Sequence, residues 1–358
     1  MAGKRVNVRG NCTTHWIDGM SKLRPAVTTT LLLAALLLAV AARASQVVKL
    51  GTVAPRGSAW AKAMDEMAEA FKRISNGQVE LRTYPGTVGD EPTILRKIRV
   101  NQLQGAVLTS TGLSLISPAP MALQLPMLFD SFAELDAVRT ALEPELEQKL
   151  ADAGFVVLAW GDAGWLQFFS KKPALTPSDY RSTKLWMWQG DPTAVEVFQH
   201  VGFSPVVLSS VDMIPSLQTG MIEAVPATPM VALSVQAYRQ APHMLEVNWA
   251  PVIGAIVVSK KAWDAIPENI RPQLKAACAE IGARLRSEVR AQTADAVAAM
   301  VKNGLVVHQL DAAQRELWRA EALRAQQLVR GKAIDAELID RVIKLRDAAR
   351  APASKPGP

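Results

Sequence analysis

Apolar residues along this chain recur in two periods, and the switching between them predicts an α/β protein. Val47-Val48-Lys49-Leu50-Gly51-Thr52-Val53 is a short apolar run of the kind that fills a buried strand. Pro55-Arg56-Gly57 follows as a turn. Ser58 is placed to cap a helix whose apolar positions Trp60, Met64, Met67, Phe71 and Ile74 recur at three- and four-residue steps. That helix stops at Asn76-Gly77, and Val79-Glu80-Leu81-Arg82-Thr83-Tyr84 alternates as a second strand. A helix is expected from about Pro92 to Leu103, then a third strand over Gly105–Thr109 leading into the small polar loop Ser110-Thr111-Gly112. Further strands are expected at Phe155–Trp160, at Leu166–Ser170 after a glycine-punctuated loop 161–164, at Lys184–Trp188, Val206–Leu208, Ile222–Val225 and Ile253–Val258. Helices are expected from Asp191-Pro192 to near Gly202, over Val211–Leu217, and as one long element from about Glu268 to Asn303 closed by Gly304. Charge-alternating helix fills Asp311–Ala349. Strands alternating with helices imply a mostly parallel sheet covered on both faces.

Length and composition narrow the picture. A chain of 358 residues, 49% hydrophobic and 20% charged, is globular and large enough for two domains. Its net charge of +7 is concentrated at one end, where residues 1–44 supply +5. The remainder carries no stripe of Lys and Arg interleaved with aromatics, and nucleic acid is excluded as a partner. Lys22 and Arg24 precede the apolar run Leu31–Val40, which ends in Ala42-Arg43-Ala44. A positive segment, a short apolar core and a small-x-small site form the pattern of a cleavable export signal, and the run is short for a membrane span. Cleavage after Ala44 would leave a periplasmic chain starting at Ser45, with Met20 as an alternative to Met1 for the start of translation. Cys12 would leave with the leader. Cys278, in an apolar helical pattern, then stands alone and reads as a small buried residue.

The residues of catalysis are missing. His200, His243 and His308 have no metal-site spacing, and the chain has neither a glycine-rich phosphate loop nor a nucleophile elbow. Asp130, Asp162 and Asp191 stand singly and read as caps or solvated charges. No enzyme activity, cofactor or metal is expected. Indoles are the conspicuous chemistry: Trp160, Trp165, Trp186, Trp188 and Trp249, five of the nine tryptophans, fall between residues 160 and 249. Trp186 and Trp188 lie two apart on an expected strand and share a face, with Met187 pointing away. Such rings, each with one N–H donor, serve either as core or as the wall of a pocket for an apolar ligand.

Several segments together resemble the extracytoplasmic solute-binding proteins of TRAP transporters, the DctP type. They are Asn76-Gly77-Gln78-Val79-Glu80-Leu81, Tyr84-Pro85-Gly86, Leu123-Gln124-Leu125-Pro126-Met127-Leu128-Phe129, Lys171-Lys172-Pro173, Asp179–Leu185, Ser216–Glu223 and Ser259-Lys260-Lys261-Ala262-Trp263. Their order and spacing cover about residues 47–300. The resemblance implies a two-lobed periplasmic-binding fold of type II character, with crossing strands, a hinge and a long connecting helix, closing on ligand between the lobes. The expected boundaries are 1–44 for an extension and signal peptide, 45–165 with 254–310 for lobe I, 166–253 for lobe II, 311–350 for C-terminal helices and 351–358 for a disordered tail.

Departures from the family pattern bear on the ligand. Where relatives that bind organic acids carry a carboxylate-clamping Arg, this chain has Trp186. A second Arg position is Leu166, after Gly164-Trp165, and the "DGxENP" segment becomes Glu223-Ala224-Val225-Pro226-Ala227-Thr228-Pro229. A cleft with fewer cations and more indoles would take a hydrophobic or amphiphilic ligand. Its expected apolar wall is Trp165, Trp186 and Trp188, with Trp60, Phe129, Met213, Thr228 and Trp249 as further candidates. Ser110 and Thr111, at a strand's carboxyl end, would orient a polar head. The implied partners are TRAP-type permease subunits, and the C-terminal helices offer a surface for a homodimer. Two alternatives stay open: an organic-acid receptor using Arg82, Arg96 or Arg99, and an interaction protein docking a partner through an aromatic patch.

Overall fold

The computed structural model describes residues 45–54, 56–85 and 88–350. The expected export signal and disordered tail lie outside them. The first sheet has the order β2-β1-β3-β10-β4 and comprises β1 (Gln46–Thr52), β2 (Val79–Pro85), β3 (Gly105–Thr109), β4 (Phe155–Trp165) and β10 (Pro251–Ser259). β2, β1 and β3 run parallel, as the alternation of strand and helix predicts. β10 runs antiparallel to both its neighbours, β3 and β4, so the sheet is mixed, with four of its five strands in one direction. That pairing also carries β4 through the glycines expected to form a loop, since Ile253 and Pro251 stand opposite Asp162 and Trp165. Gly105 is fixed by close packing: a Cβ there would lie 2.3 Å from the Val257 carbonyl oxygen of β10.

The second sheet has the order β11-β9-β5-β8-β6-β7 and comprises β5 (Gln167–Ser170), β6 (Lys184–Trp188), β7 (Ser204–Leu208), β8 (Ala224–Ala227), β9 (His243–Glu246) and β11 (Val306–Gln309). Neither β9 nor β11 is expected from periodicity. The boundaries drawn from the sequence put β11 in the first lobe, but it pairs with β9 in the second sheet. The left-handed Gly304 (φ 98°) turns the chain there, and Val306 N–H donates to the Pro242 carbonyl at 2.8 Å.

The chain crosses between the sheets at Leu166 and again at 247–250. The two crossings are tied by Leu166 N–H to Ala250 O (2.8 Å) and Trp249 N–H to Leu166 O (2.9 Å). Nine helices matter for the site: α1 (Ala59–Ile74), α2 (Glu91–Arg99), α3 (Ser110–Ser114), α4 (Phe132–Asp152), α5 (Pro192–His200), α6 (Pro229–Ser234), α7 (Arg271–Lys302), α8 (Ala312–Val329) and α9 (Ala336–Arg350). Ser58 caps α1 as expected, accepting from Ala61 N–H. α3 replaces the expected polar loop because Thr109 Oγ1 accepts from Gly112 N–H and starts a helical turn. The long helix α7 packs on α1 and β4, then on α6, and buries Met300 among the residues under the second sheet. Cys278 lies buried in α7, and that burial pushes its thiol up to about 12. α8 inserts Trp318 into the aromatic core beside Phe168, Tyr180 and Phe203, while α9 lays Leu338, Ile339 and Val342 near α4. The apolar faces of the C-terminal helices are thus turned into their own chain.

Candidate functional site

β6 alternates as the sequence predicts. Leu185 and Met187 are buried on one face, and Trp186 and Trp188 are half-buried on the other. Trp186 packs against the apolar cluster of Phe169, Met213, Val225, Ala227 and Met244. Its indole Nε1 is buried and has no hydrogen-bond partner among the described residues. A buried N–H without an acceptor is costly, by about 1–3 kcal/mol, so the position is poised to gain from a ligand oxygen. The Trp188 ring covers Gly190, where a Cβ would come within 2.3 Å of it.

Asp191 follows and is half-buried. Its Oδ1 caps α5 by accepting from Ala194 N–H at 2.9 Å, as expected of a lone carboxylate. Its Oδ2 accepts from Thr111 Oγ1, also at 2.9 Å, which links the β6–α5 turn to α3 beyond the first sheet. Beneath α3 lies Glu91, 1% exposed, which accepts from Thr109 N–H (2.5 Å) and Thr109 Oγ1 (2.9 Å). Burial pushes its carboxyl up, the Thr109 and Gly112 donors pull it back, and the charge of Asp191 pushes it up again, leaving it raised. Gly112 makes room, since a Cβ there would meet the Glu91 carboxyl carbon at 2.7 Å. Ser110 donates to Gln124. The sequence offers Ser110 and Thr111 but not Glu91, which stands just before the helix expected from Pro92.

The other candidates disperse. Trp165 is 7% exposed and packs on Phe132 at 5.1 Å between ring centres; the Arg290 guanidinium lies 4.2 Å above the same Phe132 ring. Trp60 fills the space left by Gly161. Met213 joins the Trp186 cluster. Thr228 caps α6 and lies beside Gly164. Phe129 is core, and Trp249 sits in the aromatic core with Phe168, Phe198 and Trp318 at 5.7–6.0 Å. Among the described residues no ring contact joins Trp165, Trp186 and Trp188. Arg82 is bidentate to Glu80 on the outer strand, Arg96 donates to Thr93, and Arg99 is exposed on α2.

Asp162 is neither a cap nor solvated. It has no exposure and accepts from Arg290 Nη2 at 2.7 Å, while Arg290 also chelates Asp136 at 2.6 and 2.8 Å. Arg139, 2% exposed, donates to Asp136 at 2.6 Å and stands 3.3 Å from Glu143 and 4.0 Å from Asp162. Burial raises the Asp162 carboxyl against the pull of Arg290 and Arg139. Partial burial would raise Asp136 as well, but Arg290 and Arg139 hold it below the usual carboxylate range. The cations of this region are already neutralised by the protein.

The arrangement offers packing surface, hydroxyls, a buried indole N–H and two carboxylates. A family model described as "Bacterial extracellular solute-binding protein, family 7" matches residues 50–329. The chain is 25% identical over 301 residues to the C4-dicarboxylate-binding periplasmic protein DctP of Rhodobacter capsulatus, covering 79% of this chain and 88% of that one. Its fold is similar to a TRAP periplasmic solute binding protein of Ralstonia eutropha H16 solved with bound (S)-2-acetolactate, with TM-score 0.78 and 22% identity over 85% of this chain and 100% of the other. It is likewise similar to one from Desulfovibrio desulfuricans with bound sn-glycerol-3-phosphate, with TM-score 0.78 and 19% identity over 86% and 99%.

Proposed function

We propose a cargo for this receptor from one premise: the chain belongs to the DctP family, the bacterial extracellular solute-binding proteins of family 7. It is a TRAP periplasmic solute-binding receptor, not an enzyme, with the two-lobed fold of that class. Its cargo, on our reading, is largely hydrophobic or amphiphilic and is held between the lobes and handed to TRAP-type permease subunits. Residues 1–44 fit the export signal that such a location requires.

The observation that carries this reading is Trp186, whose N–H is buried and unpartnered amid apolar side chains. The cluster around Trp186 contributes no guanidinium among the described residues, and Asp191 follows β6 by three residues; an unpaired buried carboxylate costs several kcal/mol, by order of magnitude. An apolar cargo gains about 25 cal/mol per Å² buried, and a single ether, hydroxyl or carbonyl oxygen on it satisfies the indole. The acids named for the similar structures belong to those proteins and set the competing expectation. Mass spectrometry of cargo released from the purified receptor tests the two directly. We expect an amphiphile, and we expect Trp186→Arg to lose its binding and gain affinity for small diacids. A small diacid recovered from the unaltered receptor would defeat the reading.

A further inference from the structure

Outside the site just described lies a cavity of about 240 Å³, walled by the segment before α4, the crossing segment after β9, and α8. Two of its wall residues are left-handed although neither is glycine: Met127 at φ 46° and Asn248 at φ 49°. For a long side chain such as Met this conformation is strained and persists only where neighbours impose it. The neighbours are on hand. Met127 N–H donates to Trp249 O at 2.6 Å; Asn248 N–H donates to Gln167 Oε1 at 3.0 Å, and Gln167 Nε2 donates to Asn248 Oδ1 at 2.6 Å. With Oδ1 engaged, the Asn248 amide keeps its Nδ2 donors uncommitted.

The charges around the cavity do not cancel. Arg315 and Arg319 both line it. Arg319 is engaged with Glu316 at 2.9 Å and more loosely with Asp130 at 3.5 Å. The cavity's one carboxylate, Asp130, is also drawn to Arg350 at 2.7 Å, on the last turn of α9. Arg315 has no ion pair or side-chain hydrogen bond among the described residues, and it is only half exposed. A guanidinium left free in a concave site beside spare amide donors matches the geometry of a carboxylate or phosphate, which it can hold bidentately. The contrast with the Trp186 cluster is direct: there a neutral N–H lacks an acceptor, and here a cation does.

We propose that this cavity is a second ligand site, binding a small oxyanion, carboxylate or phosphate, through Arg315 with Arg319 and Asn248 in support. Its walls come from the crossing segment and from helices of the C-terminal strap, so an occupant would tie α8 to the hinge. The site is independent of what the receptor carries between its lobes.

Calorimetric titration of the full chain with inorganic phosphate and with succinate, at ionic strength held constant with chloride, tests this. Saturable one-to-one binding of at least one anion is expected, weakened at least tenfold by Arg315→Gln and less by Arg319→Gln. Arg284→Gln removes the same charge from an exposed pair with Glu66 and Glu280, and should leave binding unchanged. Because Arg315 has no protein partner, Arg315→Gln should melt with the unaltered chain, and its melting point should no longer rise with phosphate or succinate. Absence of saturable heat with both anions overturns the proposal. So does equal weakening by Arg315→Gln and Arg284→Gln, which would mean a net-charge effect.

Discussion

Two regions beside the crossing strands handle buried polarity in opposite ways. Between α4, β4 and α7, the guanidiniums of Arg139 and Arg290 are paired with Asp136, Glu143 and Asp162, and Arg286 donates to the Trp160 carbonyl. Around Trp186 on β6 the packing cluster is apolar, and the buried indole N–H has no partner among the described residues. The first region matches cations with carboxylates of the protein itself, although Arg139 Nε and Nη1 and Asp162 Oδ1 are buried without a hydrogen-bond partner among the described residues, and any ligand there would have to displace a carboxylate. The second is incomplete, and one acceptor atom from outside would finish it. Having arginines near a hinge therefore says little about anion binding; what matters is whether each guanidinium is already matched. By that criterion Arg315, which lines a cavity and has no carboxylate partner among the described residues, is a better candidate for holding an acid than any residue on β6.

The comparison breaks most readily in the charged region. Asp136→Ala strips Arg290 of a bidentate partner and the buried Arg139 of its closest acceptor. Breaking a buried pair costs about 3–5 kcal/mol, and with Asp136 itself 37% exposed we expect about 2–3 kcal/mol. The pH dependence has a definite sign. The folded Asp136 carboxyl titrates below its ordinary range, so the unfolded chain binds its proton more readily. Its ionisation thus supports the fold above the ordinary carboxylate range, and that support is lost as pH falls through the lowered folded value. Urea unfolding of both proteins should show their difference full at pH 7 and narrowing in acid. A gap constant with pH would mean that Asp136 acts through packing alone.

The aromatic side yields to a smaller change. Gly190→Ala puts a Cβ within 2.3 Å of the Trp188 ring and forces the indole off the β6–α5 turn. Overpacking of this kind costs about 1–3 kcal/mol, and less if the half-buried ring swings freely outward. The displaced indole should redden the emission spectrum while leaving the charged cluster and its pH profile untouched. An unchanged spectrum would place the ring elsewhere than over residue 190.

How much of this could be seen in the sequence follows the range of the interactions. The Ser58 cap, the face shared by Trp186 and Trp188, and the long helix are set by residues within a turn or two of one another, and each is found as expected. Asp162 reads as an isolated carboxylate because its partner Arg290 lies 128 residues away. Glu91 is hidden for the same reason, since only the fold brings Thr109 over it. Spacing could group the tryptophans but could not say which packing cluster each joins, and so Trp165 and Trp249 belong with cores that the sequence does not separate from a pocket. β9 and β11 are four residues each, too short for alternation to stand out.

The finest test isolates a single hydrogen. Replacing Trp186 with the isostere benzothienylalanine keeps the ring volume and removes the N–H. In the ligand-free chain that group has no acceptor, so its removal should leave stability unchanged or slightly improved, because no bond is lost and an unsatisfied donor is deleted. Cargo that supplies the missing acceptor should bind about fivefold more weakly, the equivalent of one hydrogen bond of about 1 kcal/mol. Chemical denaturation and a fluorescence titration on the same sample read the two effects separately. If stability falls while affinity holds, the indole donates within the protein and the apolar packing of β6 is closed to ligand, in which case neither region would await an acceptor from outside and the contrast between them would disappear.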